Sequence, residues 1–165
     1  MHKQLKISLV DVKMSEDINI RFVKEQDLDE LLDLCEEHAI YEKAIYFREN
    51  KKAALKTHLF EKQTLFCTVI EKDSKLIAYS TYMKQFSTWD ANFYIYMDCL
   101  FVKEEYRSLG LGKKLLQRLK EESQKLNCDL IQWQTPNFNT RAIKFYENIG
   151  ALSKTKERFF LDISN

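Results

Sequence analysis

The chain has 165 residues, about the length of one domain, and a domain of this size can bury roughly two-thirds of its unfolded surface without a metal or disulfide staple. Its net charge of +1 excludes a global field that would favour nucleic acid or an anionic membrane as a partner. The four cysteines are widely spaced and form no C-x-x-C pair, so we predict no metal site and a reducing, cytoplasmic location.

The N-terminal residues 1–16 are too polar for a secretory leader, and no later run approaches the ~20 apolar residues that span a bilayer. We treat residues 1–16 as an extension and residues 17–165 as a single domain with no membrane partner.

Alternating apolar and polar residues predict a first strand at 18–22. Asp27 and Glu30 resemble a capping box, and the helix that follows has apolar residues at helical spacing, namely Leu28, Leu31, Leu32, Cys35 and Ala39.

The rest of the chain contains eight further segments with the periodicity of strands or helices. In chain order these are a weak helix at about 49–60, strands at 64–70, 75–82 and 93–102, a leucine-rich helix at 111–126, a buried strand at 129–134, a helix at 142–149 and a strand at 158–163. Asp73 and Ser74 suit a hairpin turn between two of the strands, and Gly150 suits the end of the last helix. The order predicts an α/β fold, with a mixed β-sheet flanked by helices on both faces.

The strand predicted at 93–102 carries a carboxylate within an otherwise apolar sequence. Its odd-numbered residues from Phe93 to Phe101 are all apolar and share one face, while Asp98 falls on the other. One interpretation of Asp98 is a solvent-facing residue on the wet side of a sheet. The other is a general base, acting directly or through water, that removes a proton from an ammonium of pKa ~10 before the amine attacks.

Glycine occurs only three times in the chain, and Gly110 and Gly112 open the long helix directly after a strand. Backbone N–H groups beside glycine and in the first helical turn favour an anion, and Arg107 and Lys113 add positive charge. The loop therefore suits a diphosphate, although a tight strand–helix turn without a ligand is the alternative. A Walker A loop and a dinucleotide fingerprint are both excluded, because Arg107 and Leu115 stand where those motifs need glycine.

The spacing Arg107-x-x-Gly110-x-Gly112 resembles the pyrophosphate-binding motif (R/Q)-x-x-G-x-(G/A) of the GNAT acetyltransferases. Upstream, residues 96–102 are similar to the strand that holds the acetyl-CoA arm in that family, and downstream, residues 139–151 are similar to its second cofactor motif. The resemblance covers about residues 17–163 and is closest to the subgroup that contains the spermidine/spermine acetyltransferases. It implies a GNAT-like fold and an N-acetyltransferase that moves an acetyl group from acetyl-CoA (coenzyme A) to a primary amine by direct attack.

The resemblance also implies which residues hold acetyl-CoA. The backbone around Leu100, Phe101 and Val102 would hydrogen-bond the pantetheine arm, and a bulge there would free N–H groups for the arm and for the thioester oxygen. The other implied cofactor contacts are Arg107, Ser108, Leu109, Gly110, Leu111, Gly112, Lys113, Asn139, Ala142 and Phe145. Asn139 also suits the N-cap of the last helix.

Tyr146 matches the tyrosine that acts as general acid in the family, so the resemblance implies that it protonates the departing CoA thiolate. The pKa values of a phenol and a thiol, ~10 and ~8.5, are close enough for proton donation along a hydrogen bond. The alternative is a core aromatic residue, because Tyr146 falls on the apolar stripe of its helix.

The acceptor end of the site is less defined by the sequence. Tyr41, Glu42, Trp89 and Asp90 form an aromatic and acidic set suited to a cation, or they are ordinary loop residues. A small amine, a polyamine and a peptide lysine all remain as substrates. The three histidines lie in no catalytic pattern, and we assign none of them a catalytic role.

Two other functions remain open. One is a non-catalytic acyl-CoA-binding sensor or scaffold domain, and the other is a protein whose glycine loop binds a different nucleotide or phosphate ligand. Similar enzymes are often dimers, so by analogy the strand predicted at 158–163 could contribute to a homodimer interface.

Overall fold

The computed structural model describes residues 17–163, and the predicted extension at 1–16 lies outside this range. The described residues form two compact units, 17–134 and 135–163. In the described part of the chain, the first unit contains a five-stranded sheet and three helices, and the second contains one helix.

The sheet of the first unit is built from consecutive strands in the order β1-β2-β3-β4-β5. The strands are β1 (Ile18–Phe22), β2 (Phe66–Lys72), β3 (Lys75–Ser87), β4 (Asn92–Val102) and β5 (Ile131–Gln132). The first four pair in antiparallel fashion and β5 pairs in parallel with β4, so the sheet is mixed, as predicted. Asp73 and Ser74 have φ angles of 50° and 59° and form the tight turn between β2 and β3, which confirms the predicted hairpin.

Helices cover both faces of this sheet, as predicted. Helix α1 (Leu28–Tyr41) and helix α2 (Lys51–Lys56), which continues into a π-helical turn at Thr57–Glu61, pack on one face, and helix α3 (Leu111–Lys125) packs on the other. The first core includes Leu31, Leu34, Leu59, Cys67, Val69, Tyr79 and Phe101, and the second includes Ile70, Ile77, Ala78, Leu111 and Leu115. Because successive residues of a strand point to opposite faces, Val69 and Ile70 belong to different cores.

The capping box predicted at the start of α1 is wrong. The Asp27 carboxylate accepts hydrogen bonds from the Lys24 amide at 2.7 Å and from Arg21 Nη1 at 2.6 Å. The Glu30 carboxylate accepts a hydrogen bond from the Leu76 amide at 2.9 Å. Both carboxylates therefore connect the start of α1 to the sheet instead of capping each other's amides.

Strand β4 contains a bulge at Asp98. The register pairs Thr81 with Cys99 and Tyr82 with Met97, so Asp98 has no partner on β3. Thr81 and Tyr82 are consecutive and point to opposite faces, and paired residues of neighbouring strands share a face. Met97 and Cys99 therefore lie on opposite faces of the sheet, and the single apolar face predicted for residues 93–101 is wrong.

Two predicted strands differ from the structure. The buried strand at 129–134 is reduced to Ile131–Gln132, and the neighbouring Leu130 is exposed. Residues 158–163 form no strand in the structure, and the apolar side chains of this segment are exposed, namely Phe159, Phe160, Leu161 and Ile163. Both segments have strand-like sequences, but a strand also needs a neighbour to complete its ladder of hydrogen bonds.

The second unit contains helix α4 (Thr140–Asn148), close to the predicted range. Asn139 is its N-cap, and the Asn139 side-chain oxygen accepts a hydrogen bond from the Ala142 amide at 3.2 Å. At the other end, Gly150 has a φ of 88°, and the amides of Gly150 and Ala151 donate to the carbonyls of Glu147 and Tyr146. This is a Schellman motif, and it confirms the predicted role of Gly150 at the helix end.

Candidate active site

The loop between β4 and α3 contains two residues in the left-handed conformation. A 3-10 turn at Glu104–Tyr106 follows β4, and then Ser108 and Gly110 have φ angles of 67° and 77°. Glycine adopts this conformation without steric cost. A methyl group on Gly110 would have no heavy atom within 4 Å, so the space beside this glycine is open.

The first three amides of α3 have no hydrogen-bond partner within the helix. The first main-chain hydrogen bond of the helix joins the Lys114 N–H to the Gly110 carbonyl at 3.1 Å. The amides of Leu111, Gly112 and Lys113 therefore precede the helical ladder, and Gly110 has no side chain to cap them. The Lys113 side chain is exposed, so it adds positive charge to the positive end of the helix dipole. These donors fit the diphosphate of coenzyme A.

Arg107 is held against the end of β4 and the end of α1. Its Nε donates a hydrogen bond to the Val102 carbonyl at 2.9 Å. Its guanidinium lies over the ring of Tyr41 at 4.1 Å and near that of Phe101 at 5.5 Å, both within cation–π distance. Arg107 was predicted to bind phosphate and Tyr41 to bind the amine, so the structure brings together one residue from each predicted set.

The outer edge of β4 is only partly covered by β5. The β4–β5 ladder contains two pairs, Ile95 with Ile131 and Tyr96 with Gln132. Beyond them, the stretch of β4 from Asp98 to Val102 has no partner on β5, and this stretch contains the predicted cofactor contacts Leu100, Phe101 and Val102. Main-chain groups at such an edge can pair with an extended ligand, as in strand addition.

Asp98 occupies the bulge at the start of this stretch, and it is exposed. Its Oδ2 lies 3.8 Å from the Sγ of Cys99. Burial raises the pKa of the Cys99 thiol to about 12, with the Asp98 charge acting in the same direction. Cys99 is therefore protonated at neutral pH and is no thiolate nucleophile, whereas Asp98 is in contact with solvent.

A buried histidine lies beside the predicted acceptor residues Tyr41 and Glu42, and the sequence analysis missed it. His38 is 9% exposed, its Nδ1 lies 2.9 Å from the Tyr79 hydroxyl, and its Nε2 lies 3.4 Å from Glu42 Oε1. Its ring stacks on Phe101 with centroids 5.0 Å apart. A signal was available, because His38 falls on the apolar stripe of α1, seven residues after Leu31.

The remaining predicted acceptor residues lie elsewhere in the first unit. Trp89 and Asp90 are at the tip of the β3–β4 hairpin, where Ser87 pairs with Asn92, and Trp89 is 98% exposed. Asn92 is six residues from Asp98, which corresponds to roughly 20 Å along an extended strand. Within one chain, Trp89 and Asp90 are therefore not neighbours of Asp98.

The second unit carries the other predicted residues on or beside one helix. Asn139 caps α4, and Ala142, Phe145 and Tyr146 lie within it. The rings of Phe145 and Tyr146 are 5.2 Å apart. The N-cap role of Asn139 is confirmed, and its predicted contact with the cofactor stays a prediction.

Residues 17–163 contain neither a candidate metal site nor a candidate membrane-spanning helix. Within that range, no group of three or more His, Cys, Asp or Glu side chains is arranged to hold a metal ion. The described helices include none that is long and apolar enough to cross a membrane.

Comparison with known proteins assigns the family. Residues 26–151 match the model of the acetyltransferase (GNAT) family, a stretch that includes the glycine loop and the whole of α4. The chain belongs to the GNAT family. It is therefore an acetyltransferase, and members of this family use acetyl-CoA.

Individual relatives agree with this assignment. The chain is 29% identical over 146 residues to a thialysine N-epsilon-acetyltransferase of Sus scrofa, covering 83% of this chain and 85% of the relative. It is 25% identical over 146 residues to the spermidine/spermine N(1)-acetyltransferase-like protein 1 of Homo sapiens, covering 84% of this chain and 21% of that longer protein. An aminoglycoside acetyltransferase from a soil metagenomic sample shares the fold, with a TM-score of 0.79, 16% identity and coverage of 92% and 99% of the two chains.

Proposed function

We propose that this GNAT enzyme transfers the acetyl group of acetyl-CoA to a primary amine by direct attack. The observation that carries the proposal is the glycine loop, in which the first three amides of α3 precede the helical ladder beside open space at Gly110. This loop also has the spacing that resembles the pyrophosphate motif of the family. A diphosphate is the chemical group that matches such donors best.

The first unit would hold two parts of the cofactor. The amides at Leu111, Gly112 and Lys113, with the Lys113 charge, would bind the diphosphate. Main-chain groups of Leu100–Val102, on the stretch of β4 without a β5 partner, would bind the amide groups of the pantetheine arm. Bound there, acetyl-CoA supplies an acetyl thioester whose carbonyl carbon accepts a nucleophile.

The proton steps are assigned to Asp98 and Tyr146. Asp98 would take a proton from the incoming ammonium through water, which agrees with its exposed position in the β4 bulge. The amine nitrogen then forms a bond to the acetyl carbon as the carbon–sulfur bond breaks. Tyr146 would donate its phenolic proton to the departing thiolate, an assignment that depends on the match to the family tyrosine and not on a described contact.

The acceptor would be bound through Tyr41 and Glu42 at the end of α1. A carboxylate beside an aromatic ring suits a cationic amine, and Tyr41 already packs against the Arg107 guanidinium. The relatives named for thialysine and for spermidine/spermine acetylation support a small primary amine or polyamine as the substrate. A lysine side chain has the same reacting group.

The test is a thiol-release assay with acetyl-CoA and a panel of amines, in which mass spectrometry identifies the product. We expect CoA release that depends on the amine, with one acetyl group added to a primary amino nitrogen. Calorimetric binding of acetyl-CoA without release by any amine would contradict the proposal and favour an acyl-CoA sensor. Binding of ATP or NAD in place of acetyl-CoA would contradict the assignment of the glycine loop.

A further inference from the structure

A chain of polar side chains runs from the middle of the sheet to the end of α1. The Tyr79 hydroxyl on β3 lies 2.9 Å from His38 Nδ1, and His38 Nε2 lies 3.4 Å from Glu42 Oε1. Tyr79 and His38 are buried, and Glu42 is partly exposed. The chain therefore leads from the core to a carboxylate that reaches the surface.

The chemistry of the two end groups fixes the direction of these contacts. Burial raises the pKa of Tyr79 well above its ordinary value, so its hydroxyl keeps its proton and can donate to Nδ1. The ionised Glu42 carboxylate has no proton and can only accept, so the facing Nε2 must carry the hydrogen. The consistent arrangement is a neutral imidazole that accepts from Tyr79 at Nδ1 and directs its Nε2–H toward Glu42.

The buried environment of His38 agrees with a neutral ring. Burial lowers the pKa of His38, and the Arg107 charge acts in the same direction, while Glu42 and Asp98 oppose the shift. Stacking on Phe101 at 5.0 Å holds the plane of the ring. A neutral donor orients Glu42 without cancelling its negative charge, so that charge remains available to a cation.

We propose that His38 is a positioning residue for the acceptor amine, which holds the Glu42 carboxylate through Nε2–H so that its second oxygen faces the substrate ammonium. This inference rests on the proposed function, in which Glu42 binds the amine. It gives a role to a residue that the sequence analysis excluded from the site. The 3.4 Å separation is long for a hydrogen bond, so we expect an effect of moderate size.

Two variants separate positioning from packing. In His38→Asn the side-chain amide stands near the former Nδ1, so the contact to Tyr79 is retained and the contact to Glu42 is lost. In His38→Gln the amide reaches the former Nε2 and can still donate to Glu42. We expect His38→Asn to raise the KM of the amine about fivefold, the change that corresponds to one hydrogen bond, with little change in kcat or in the KM of acetyl-CoA. His38→Gln should restore most of the affinity.

A double-mutant cycle with Glu42→Gln completes the test. If His38 acts through Glu42, then His38→Asn has little further effect on the amine KM in the Glu42→Gln background. Equal KM values for wild type and His38→Asn, or fully additive effects in the cycle, would overturn the inference while leaving the acetyltransferase proposal intact. If the wild type turns over no amine, the proposed function fails, and this inference fails with it.

The inference can also be tested in the wild type if the His38→Asn variant does not fold. Nitrogen-15 NMR of the histidine rings should show His38 as the Nε2–H tautomer, with a resonance that shifts on addition of the amine product. An Nδ1–H tautomer, or a resonance that does not respond to saturating product, would overturn it.

Discussion

Two side chains in the proposed mechanism handle protons, and each has a replacement of nearly the same volume that cannot carry out its proton transfer. Tyr146→Phe deletes one hydroxyl and keeps the ring that packs near Phe145. Asp98→Asn keeps the shape of the bulge residue and removes its ability to accept a proton at neutral pH. Because both changes conserve volume, their effects on rate can be separated from effects on folding.

For Tyr146→Phe we predict a fall in kcat of roughly 100-fold, because general acid catalysis typically contributes at least that much. The Kd of acetyl-CoA should change less than about threefold, since a group used only in the transition state does not alter ground-state binding. Steady-state kinetics and calorimetry measure the two quantities. The matched control is Tyr94→Phe, which removes only a hydrogen bond to Gln85 on the hairpin. Unchanged turnover in Tyr146→Phe would show that Tyr146 is not the general acid.

For Asp98→Asn we predict a fall in kcat/KM for the amine of roughly 100-fold at neutral pH. Raising the pH should recover part of this loss, because a larger fraction of the amine is then already deprotonated. The measurement is a pH profile of kcat/KM for both proteins. Asp73→Asn, at an exposed hairpin turn, is the control and should follow the wild type. A profile for Asp98→Asn that coincides with that of the wild type would exclude the base.

At the scale of elements, the start of α3 depends on a conformation that favours glycine. Gly110 has a φ of 77° and open space beside it, so the cost of replacing it comes from the backbone and not from a clash. Any change in the loop would also move the first amides of the helix. Stability and cofactor affinity are therefore linked at this position.

For Gly110→Ala we predict a loss of about 1–2 kcal/mol in the free energy of unfolding, the cost of the left-handed conformation for a residue with a Cβ. The Kd of acetyl-CoA should rise by a factor that corresponds to at least this free energy, because relaxation of the strained backbone would move the amide donors at the start of α3. Urea unfolding and calorimetry measure the two effects. Gly150→Ala, at a φ of 88°, gives the reference value for strain outside the loop. A Gly110→Ala variant with unchanged cofactor affinity would contradict the role of the loop.

At the scale of the whole molecule, the first unit is joined by an ion-pair network between β1, β2 and the start of α1. Arg21 donates to Asp27 at 2.6 Å and to Glu71 at 2.7 Å, and its contacts to Asp27 involve two nitrogens. Burial alone would raise the pKa of Asp27, but the hydrogen bonds from Arg21 and from the Lys24 amide outweigh it and lower that pKa. The network therefore contributes stability only while Asp27 is ionised.

The stability that the Asp27 ion pair contributes should depend on pH. The folded-state pKa of Asp27 lies below its unfolded value of ~3.9, so the stability is present above that pH and is lost as the pH falls through the folded value. We predict that Asp27→Asn lowers the free energy of unfolding at pH 7 by about 2 kcal/mol. Urea titrations from pH 7 to pH 3 should show a smaller decline for the variant than for the wild type. Parallel curves would show that Asp27 does not have a lowered pKa in the fold.

The parts of the fold that follow from local pattern were predictable, and those that depend on long-range partners were not. The periodicity of α1, α3 and α4, the turn at Asp73 and Ser74, and the glycine at the end of α4 are local signals, and each is confirmed. The bulge at Asp98 was not visible, because a bulge is defined by the register with β3. Residues 158–163 are rich in aromatic and apolar side chains, as strands are, but local composition does not specify a neighbouring strand.

The candidate site likewise combines features that local sequence predicts and contacts between residues far apart in the chain. The glycine loop could be located from sequence, because a short motif and a strand-to-helix transition define it. The contact of Arg107 with Tyr41 and the burial of His38 join residues far apart in the chain, so spacing alone did not reveal them. Trp89 and Asp90 were grouped with Tyr41 by residue type, whereas the length of β4 separates them from Asp98.

The most direct test of the central claim is an amide NMR titration of the full chain with acetyl-CoA. We predict that the largest chemical-shift changes occur at the amides of residues 111–113, which would donate to the diphosphate. Amides of β1 and β2, used as the internal reference, should change little. Saturation with acetyl-CoA that leaves the amides of 111–113 unshifted would contradict the proposed role of the glycine loop.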